Sequence, residues 1–351
     1  MNPRDRLLAA CAGRPVDVTP VWFMRQAGGR LPVHVGLRER HSVMEIAKTP
    51  SLCAEVTVGA VEALGVDGAI MYADIMLLVE AMGVDLELTS AGPVLAQPIR
   101  TAADVERLRP VEPLTDLGFV LEAISIARQE LGDRAAVIGI AGGPFTLAAY
   151  LIEGGPSRDQ VRARALMHGQ PPVWAALLER LTVATIAYLR AQRAAGADVV
   201  QLFDTWAGSL TPAEYRRHVA PYAARILTAV AGPTVHHVAP SGPLLAEVAA
   251  AGGSVVGIDS RQELGAARRL LGDRPVQGNL DPALVLVGSA AARAAAAIVL
   301  DQAGPVGHVF NLGEATPRDA DPAVLRDLAT FVHERSAARP STARQDEPVH
   351  V

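Results

Sequence analysis

The feature that most constrains the fold of this chain is a repeated alternation of short apolar runs with longer helical stretches. The runs are rich in β-branched residues and occur at Val21–Met24, Gly68–Tyr72, Ala136–Ile140, Asp198–Phe203, Thr234–Val238, Ser254–Ile258, Pro275–Asn279 and Gly307–Asn311. Because they lack strict polar alternation, they predict strands that are buried on both faces, as in a parallel sheet. The segments between them are long enough for crossover helices.

Helical patterns fill many of the intervening segments, and several of them open on proline, which suits a first helical turn. The predicted helices include Ser51–Leu64, Ala175–Ala195, Pro212–Val230, Ala290–Asp301 and Pro322–Arg335. Eight strand-helix alternations favour an α/β fold of the closed (β/α)8 TIM-barrel type. An open, doubly wound sheet is the structural alternative.

Two further segments complete the predicted organisation. Val84–Leu88 and Val94–Pro98 predict a small hairpin inserted after the second strand. We expect one barrel domain over residues 1–335. Residues 336–351 are rich in Ser, Arg, Pro and Asp with little to bury, so they predict a disordered tail.

Composition excludes several classes of protein. Half of the residues are hydrophobic and 20% are charged, which is typical of a globular chain. The formal net charge of −5 argues against nucleic acid or an anionic membrane as the main partner. Two cysteines, Cys11 and Cys53, cannot build a disulfide framework, and no apolar run reaches the ~18 residues that span a bilayer. We therefore expect a soluble, cytoplasmic protein.

In a barrel of this type, reactive residues lie at the carboxyl ends of the strands. The loop Arg25–Pro32 follows the first predicted strand, and its Arg25 side chain and glycine-bearing backbone are suited to holding a carboxylate. The alternative is an ordinary glycine turn with surface arginines. Asp74 follows the second strand in an otherwise apolar run. Such a carboxylate has either a function or a structural partner.

Two more candidates follow the third and fourth strands. Tyr150 lies on a helix that opens at Gly142–Thr146, from which its hydroxyl could reach the barrel mouth. A core tyrosine with a satisfied hydroxyl is the alternative. Thr205 follows the fourth strand, where a threonine is also a common helix cap.

Metal and nucleotide cofactors are not indicated by the sequence. His236, His237 and His308 lie at strand ends without a Cys-His or His-x-x-x-His arrangement. No Gly-x-Gly-x-x-Gly motif follows a strand, and there is no P-loop. We expect the site to work without a metal or cofactor.

Six strings of residues, in order along most of the chain, resemble uroporphyrinogen decarboxylases. They are Arg25–Gly28, Tyr72–Ile75 with Glu80–Gly83, Pro144–Leu147 with Tyr150–Gly155, Gln201–Gly208, Gln277–Pro282 and Asn311–Gly313. The resemblance implies a (β/α)8 domain, usually a homodimer. It also implies removal of CO2 from the four acetate side chains of the tetrapyrrole uroporphyrinogen III, giving coproporphyrinogen III.

The resemblance also assigns roles to particular positions. The residue at Asp74 receives the pyrrole N–H groups, and those at Arg25, Tyr150 and Thr205 hold the substrate. We therefore expect Asp74, Arg25 and Tyr150 to be catalytic. The expected substrate-binding set is Arg25, Gln26, Ala27, Gly28, Gly29, Arg30, Asp74, Tyr150, Thr205 and Glu314.

Two of these positions depart from the family pattern. Gly29 replaces a second arginine, although Arg30 follows at once, and Glu314 replaces a histidine. An anion matters beside a polycarboxylate, because like charges ~4 Å apart repel by roughly 4 kcal/mol at an effective dielectric of about 20. We expect Glu314 to be protonated, turned away or paired.

These departures leave alternatives open. One is a paralogous decarboxylase of a smaller pyrrole or indole carboxylate, and another is a non-catalytic tetrapyrrole-binding protein. Zinc methyltransferases of the wider superfamily bind metal through His and Cys near strand ends. Cys11 and Cys53 both lie in the amino-terminal segment, outside such a pattern.

Overall fold

The structure of the chain is a computed structural model that describes residues 1–89 and 92–338. Its strands are β1 (Gly68–Ile70), β2 (Leu86–Thr89), β3 (Gly92–Leu95), β4 (Ala136–Gly142), β5 (Val199–Phe203), β6 (Thr234–His237), β7 (Val255–Gly257), β8 (Val276–Gln277) and β9 (His308–Val309).

The helices lie between and around these strands. They are α1 (Pro3–Cys11), α2 (Pro32–Arg38), α3 (Val43–Lys48), α4 (Pro50–Leu64), α5 (Leu77–Ala81), α6 (Ala102–Glu106), α7 (Pro113–Asp116), α8 (Gly118–Leu131), α9 (Pro144–Glu153), α10 (Val161–Gly169), α11 (Pro171–Ala194), α12 (Pro212–His218), α13 (Ala220–Ala229), α14 (Leu245–Ala251), α15 (Leu264–Leu271), α16 (Ala283–Val287), α17 (Ser289–Ala303) and α18 (Pro322–Ala337).

The main sheet is parallel and curls into a barrel. In the described part of the chain its seven strands run in the order β1-β4-β5-β6-β7-β8-β9. The segment around Val21 closes the gap between the two edges. On one side the Phe310 N–H donates to the Pro20 carbonyl at 2.8 Å, and on the other the Asp67 N–H donates to the Val21 carbonyl at 2.8 Å. The closed (β/α)8 barrel is therefore confirmed over the open sheet.

The first predicted strand, Val21–Met24, is shorter than expected. Only Val21 forms a bridge, to Phe310. After Val21, backbone N–H groups bond to side chains instead of a neighbouring strand. The Phe23 N–H donates to Gln26 Oε1 at 2.9 Å, and the Met24 N–H donates to Asn311 Oδ1 at 3.0 Å. The other seven predicted strands are present, most of them shorter than predicted.

The helix prediction Pro212–Val230 was wrong in one respect, since two helices, α12 and α13, meet at Val219. Pro221 lies in the first turn of α13 and has no N–H to continue a helix from α12. The predicted hairpin is present as the antiparallel pair β2 and β3.

A polar chain crosses the barrel interior. Trp22 Nε1 donates to Gln277 Oε1 at 3.1 Å, and Gln277 Nε2 donates to Gln201 Oε1 at 2.9 Å. These residues lie on segments that are not neighbours in the sheet, so the bonds run through the lumen. All three side chains are buried. The barrel is thus a filled core whose reactive surface must lie at one end.

Ion pairs close the amino-terminal end of the barrel. The buried carboxylate of Asp67 accepts hydrogen bonds from Arg6 at 2.6 Å, from the Val21 N–H at 2.8 Å and from His333 at 2.7 Å. Helix α1, which carries Arg6, packs against β1, β4 and β9. The carboxyl ends of the strands are therefore the accessible end.

Among the described helices, only Pro171–Ala194 is long and apolar enough to cross a membrane; it packs against α9, α13 and β4 like the core helix of a barrel. The tail was predicted to begin at residue 336. Helix α18 continues to Ala337, and Ser336 Oγ accepts from the Thr19 N–H at 2.9 Å. Residues 339–351 of that tail lie outside the described residues.

Candidate active site

The arginine loop, residues 25–31, follows the closing segment of the barrel. Arg25 has a left-handed backbone conformation, with φ of 60°, and its side chain is exposed. The Gln26 side chain turns inward, where its amide donates to the Gly68 carbonyl at 2.7 Å and accepts from the Phe23 N–H. Ala27 is buried. Gln26 therefore shapes the loop, while Arg25 presents its guanidinium at the mouth.

Gly29 explains how this loop departs from the family pattern. Its φ is 59°, and a Cβ there would lie 3.0 Å from the carbonyl oxygen of Arg318. An arginine at position 29 would therefore be strained in this conformation. Gly28 is partly exposed and Arg30 is exposed, so the second guanidinium of the loop is carried one residue later.

Asp74 lies in the loop after β1, and its side chain is partly buried. Its Oδ1 accepts from the Met76 N–H at 2.8 Å. Burial raises the pKa of the carboxyl, while the Met76 hydrogen bond and the charge of Arg25 act in the opposite direction. Within residues 1–89 and 92–338, no ion pair occupies Asp74 or Arg25.

Tyr150 lies on α9 with its ring stacked on that of Trp206, the two centroids 3.9 Å apart. Burial raises the pKa of the Tyr150 hydroxyl; the charge of Asp74 adds to this effect and that of Arg25 opposes it. The three predicted catalytic side chains, Asp74, Arg25 and Tyr150, are thus brought within electrostatic reach of one another.

Asp204, at the end of β5, is a residue to which the sequence prediction gave no role. It is fully buried and accepts from the Thr146 N–H at 2.7 Å and from the Phe145 N–H at 3.4 Å, both in the first turn of α9. Burial raises the pKa of Asp204 to about 6, against the effect of these hydrogen bonds. The sequence signals for Asp204 were its position directly after a strand and its place in the Gln201–Gly208 string.

Thr205 begins a short 3-10 turn, Thr205–Ser209, and is partly exposed. Its side chain caps neither that turn nor, in the part of the chain the structure describes, any other element. Trp206, the next residue, donates its backbone N–H to Thr146 Oγ1 at 3.1 Å. The turn therefore carries both the Trp206 ring under Tyr150 and the Thr205 hydroxyl.

Glu314 lies in the loop after β9 and is partly buried. Ser260 Oγ donates to Glu314 Oε2 at 2.8 Å. A Cβ on Gly313 would lie 2.1 Å from the Ser260 backbone nitrogen, so only glycine allows the loops after β7 and β9 to meet this closely. Burial raises the pKa of Glu314; the Ser260 hydroxyl opposes this and the charge of Asp259 adds to it.

The strand-end histidines are buried in the core. His236 contacts the Val248 carbonyl at 3.2 Å and the Tyr215 hydroxyl at 3.3 Å, and His308 contacts the Gly278 carbonyl at 2.7 Å. Burial lowers the pKa of both His236 and His237 to about 4. No cluster of His, Cys, Asp or Glu suited to a metal ion occurs among the residues described.

Nearly the whole sequence is similar to proteins of one family. The family model for uroporphyrinogen decarboxylase (URO-D) matches residues 2–335. The chain is 46% identical over 339 residues to the uroporphyrinogen decarboxylase of Syntrophotalea carbinolica, covering 95% of this chain and 98% of that protein. It is 45% identical over 338 residues to that of Thermus thermophilus, with the same two coverages.

Solved structures agree on the fold. A methyltransferase from Methanosarcina mazei superposes with a TM-score of 0.82 at 22% identity, covering 95% of this chain and 99% of that one. A B12-independent methionine synthase from Shewanella gives a TM-score of 0.58 at 11% identity, covering 85% and 89%. At these identities the likeness concerns the barrel alone. The family match and the sequence relatives together establish that this chain belongs to the uroporphyrinogen decarboxylase family.

Proposed function

We propose that this chain removes CO2 from the acetate side chains of uroporphyrinogen III to give coproporphyrinogen III. Uroporphyrinogen decarboxylases are carboxy-lyases, and the family match makes the chain an enzyme of this class. The observation that carries the proposal is a partly buried carboxylate, Asp74, at the barrel mouth with no ion-pair partner in the described chain. It is the group that an electron-rich N–H heterocycle requires.

The reaction needs an electron sink rather than a cofactor. A proton added to the pyrrole carbon next to the acetate-bearing one makes the ring cationic. The bond between the acetate methylene and its carboxylate then breaks, its electron pair flows into the ring, and CO2 leaves. Protonation of the methylene carbon and loss of the first proton restore the pyrrole with a methyl group, so each acetate consumes one proton and releases one CO2.

Asp74 would act on the cationic ring. Its carboxylate would accept hydrogen bonds from the pyrrole N–H groups. The positive charge that it stabilises is largest after the pyrrole ring is protonated, so Asp74 would stabilise the transition state more than the substrate. The raised pKa of Asp74 reflects a poorly solvated anion, which gains more from a nearby cation than a solvated one does.

The neighbours of Asp74 would bind the substrate's periphery. The exposed guanidinium of Arg25 would hold a carboxylate, and Arg30 would supply a second cation from the same loop. Tyr150 and Thr205 offer hydroxyls at the mouth. Gln26 and Ala27 are buried, so their contribution is through the shape of the loop, whereas Gly28 and Gly29 keep backbone near its surface.

Glu314 is the least expected partner of a polycarboxylate. The Ser260 hydroxyl holds its Oε2, and its raised pKa favours the neutral acid more than for an ordinary glutamate. In the protonated form it can donate a hydrogen bond to a substrate carboxylate instead of repelling it.

The remaining expectations follow from the family. We propose that residues 1–335 form one domain and that the enzyme is a cytoplasmic homodimer which uses neither a metal nor a cofactor. These statements rest on the resemblance to uroporphyrinogen decarboxylases and on the net charge of −5, which disfavours nucleic acid and anionic membranes.

The test is an anaerobic assay of the purified protein with uroporphyrinogen III, in which mass spectrometry follows stepwise loss of CO2. We expect successive products that end at the tetra-decarboxylated species. A pyrrole-acetic acid and an indole-carboxylic acid serve as parallel substrates. Turnover of either small acid without turnover of uroporphyrinogen would contradict the proposal and favour a paralogous decarboxylase.

A further inference from the structure

The His34 side chain connects the two segments that carry Arg25 and Asp74. Its Nδ1 lies 3.1 Å from the carbonyl oxygen of Gly29, in the arginine loop, and its Nε2 lies 3.2 Å from the hydroxyl of Tyr72, in the Asp74 segment. The two rings are also in tilted contact, with centroids 5.5 Å apart.

The Gly29 carbonyl, the His34 ring and the Tyr72 hydroxyl form a hydrogen-bonded bridge, and its partners determine which ring nitrogen of His34 is protonated. A carbonyl oxygen only accepts, so Nδ1 must carry the proton that is donated to Gly29. In a neutral imidazole Nε2 is then an acceptor, and the Tyr72 hydroxyl donates to it. Burial lowers the pKa of His34, and the charge of Arg38 acts in the same direction against the effect of the Gly29 carbonyl. Both bonds therefore suit the neutral ring.

Each end of the bridge rests on fixed structure. Tyr72 is anchored through its backbone, since its N–H donates to Thr57 Oγ1 at 3.0 Å and its carbonyl accepts from Cys53 Sγ at 3.1 Å. Thr57 and Cys53 both lie on α4. The other side of Gly29 is closed by the Arg318 carbonyl, 3.0 Å from where a Cβ would stand.

Helix α2, which carries His34, is itself docked on α4. A Cβ on Gly59 of α4 would lie 2.8 Å from Cγ1 of Val33, so the two helices approach at a point that only glycine permits. Helix α2 thus holds the His34 ring in place. One of its hydrogen bonds reaches Gly29, four residues after Arg25, and the other reaches Tyr72, two residues before Asp74.

We propose that His34 is a positioning residue, which sets the separation between the Arg25 guanidinium and the Asp74 carboxylate by tying the arginine loop to the Asp74 segment. The inference rests on the proposed function for its readout in turnover. Both groups must meet one substrate at the same time, so a loop that moved by about 1 Å would cost up to ~100-fold in rate.

The test compares single changes along the bridge. His34→Phe keeps a ring against Tyr72 and removes both hydrogen bonds, whereas His34→Gln keeps an amide that can donate and accept. Tyr72→Phe removes only the hydroxyl. The matched control is His41→Phe, because the His41 side chain forms no hydrogen bond in the described part of the chain.

Two readouts are measured for each variant. The first is kcat and KM for uroporphyrinogen III under anaerobic conditions. We expect His34→Phe to lower kcat by ~10–100-fold with a smaller change in KM. His34→Gln should have a kcat between that of His34→Phe and the wild type. The double variant His34→Phe/Tyr72→Phe should lose less activity than the two single losses added together. The second readout is backbone hydrogen exchange of the peptide covering residues 25–32, which needs no substrate.

We expect this peptide to exchange faster in His34→Phe than in the wild type, at an unchanged global unfolding midpoint. Wild-type kcat and wild-type protection in His34→Phe would overturn the inference. If His34→Phe does not fold, the double variant His34→Gln/Tyr72→Phe is compared with its two single variants. Effects on kcat/KM that simply add would also overturn the inference. If the wild type fails to turn over uroporphyrinogen, the proposed function falls, whereas the exchange data still decide the role of His34.

Discussion

The ring of Tyr150 lies on the ring of Trp206, with 3.9 Å between centroids and 26° between planes. This contact joins α9 to the turn after β5. Hydrogen bonds also connect these two elements. Asp204 accepts from the first-turn N–H of Thr146, and the Thr146 hydroxyl accepts from the Trp206 N–H. The stacked Tyr150 and Trp206 rings are therefore connected, through Thr146, to the buried Asp204 carboxylate.

The first prediction concerns the pH dependence of stability through Asp204. Its pKa is raised to about 6, so the folded state binds this proton more tightly than the unfolded state does. The resulting stabilisation is present below the unfolded pKa of about 3.9 and is lost as pH rises to about 6, a change of roughly 2–3 kcal/mol. Asp204→Asn lacks this dependence.

Denaturant unfolding of both proteins between pH 4.5 and 7.5 measures the difference. We expect the wild type to lose stability relative to Asp204→Asn as pH rises. An exposed carboxylate, Asp85, provides the control substitution Asp85→Asn. A wild-type curve that runs parallel to that of Asp204→Asn would refute the burial-driven shift.

The second prediction concerns the electrostatic contact between Asp74 and Arg25. Burial raises the pKa of Asp74, and the Arg25 charge partly offsets this rise. Removing that charge by Arg25→Gln should therefore raise the pKa further. Carboxyl 13C NMR of aspartate-labelled free protein follows the titration, with Asp74→Asn used to assign the resonance. A pKa that stays fixed or falls in Arg25→Gln would mean that the two groups do not interact.

The third prediction concerns the charge of Glu314. Its raised pKa means that the carboxylate form is populated only at higher pH than for an ordinary glutamate. At pH 8, Glu314→Gln should therefore increase kcat/KM for uroporphyrinogen by several-fold. This corresponds to removal of a repulsion on the order of 1 kcal/mol, after solvent screening, between the Glu314 carboxylate and the substrate carboxylates. The increase should become smaller as the pH falls. Glu314→His, which restores the family residue, should show the same sign.

The control for this experiment is Glu263→Gln, which changes an exposed charge in the segment after β7. A loss of activity in Glu314→Gln, or a gain that does not depend on pH, would contradict repulsion between the Glu314 carboxylate and the substrate, because glutamine still accepts the Ser260 hydrogen bond.

The fourth prediction concerns the polar chain in the barrel. Gln277→Leu leaves the buried Trp22 Nε1 and Gln201 Oε1 without the partners they have now. Each of the two unsatisfied groups costs ~1–3 kcal/mol, so we expect the free energy of unfolding to fall by about 2–6 kcal/mol. Guanidinium unfolding measures it. A second change, Gln201→Leu, should cost less in that background than alone, and strict additivity would contradict the connected chain.

Much of the fold was predictable because buried parallel strands leave a strong sequence pattern. The runs that became β4 to β9 are buried, and several of the helices between them, such as α9, α11 and α12, have proline in the first turn. The segment at Val21–Met24 carries the same pattern but bonds to side chains of Gln26 and Asn311 instead of a neighbouring strand. The Met24 bond joins residues 287 positions apart in sequence, so no local pattern reveals it.

The site was predictable in part for a similar reason. The strand-end rule brought out Asp74, Tyr150 and Thr205, because chemistry in a barrel is confined to those loops. It did not reveal that Gln26 turns inward or that His34 reaches Tyr72. Both are contacts between loops, whose geometry depends on φ angles and packing distances that sequence spacing leaves open.

The most direct test of the account is turnover by Asp74→Asn. The amide keeps an acceptor for the Met76 N–H but cannot stabilise a cationic ring, so we expect kcat for uroporphyrinogen III to fall by at least ~100-fold with the unfolding midpoint maintained. Asp85→Asn should retain wild-type turnover. A kcat of Asp74→Asn within about threefold of the wild-type value would contradict the claim that the Asp74 carboxylate stabilises the cationic ring. Loss of one transition-state contact costs far more than threefold.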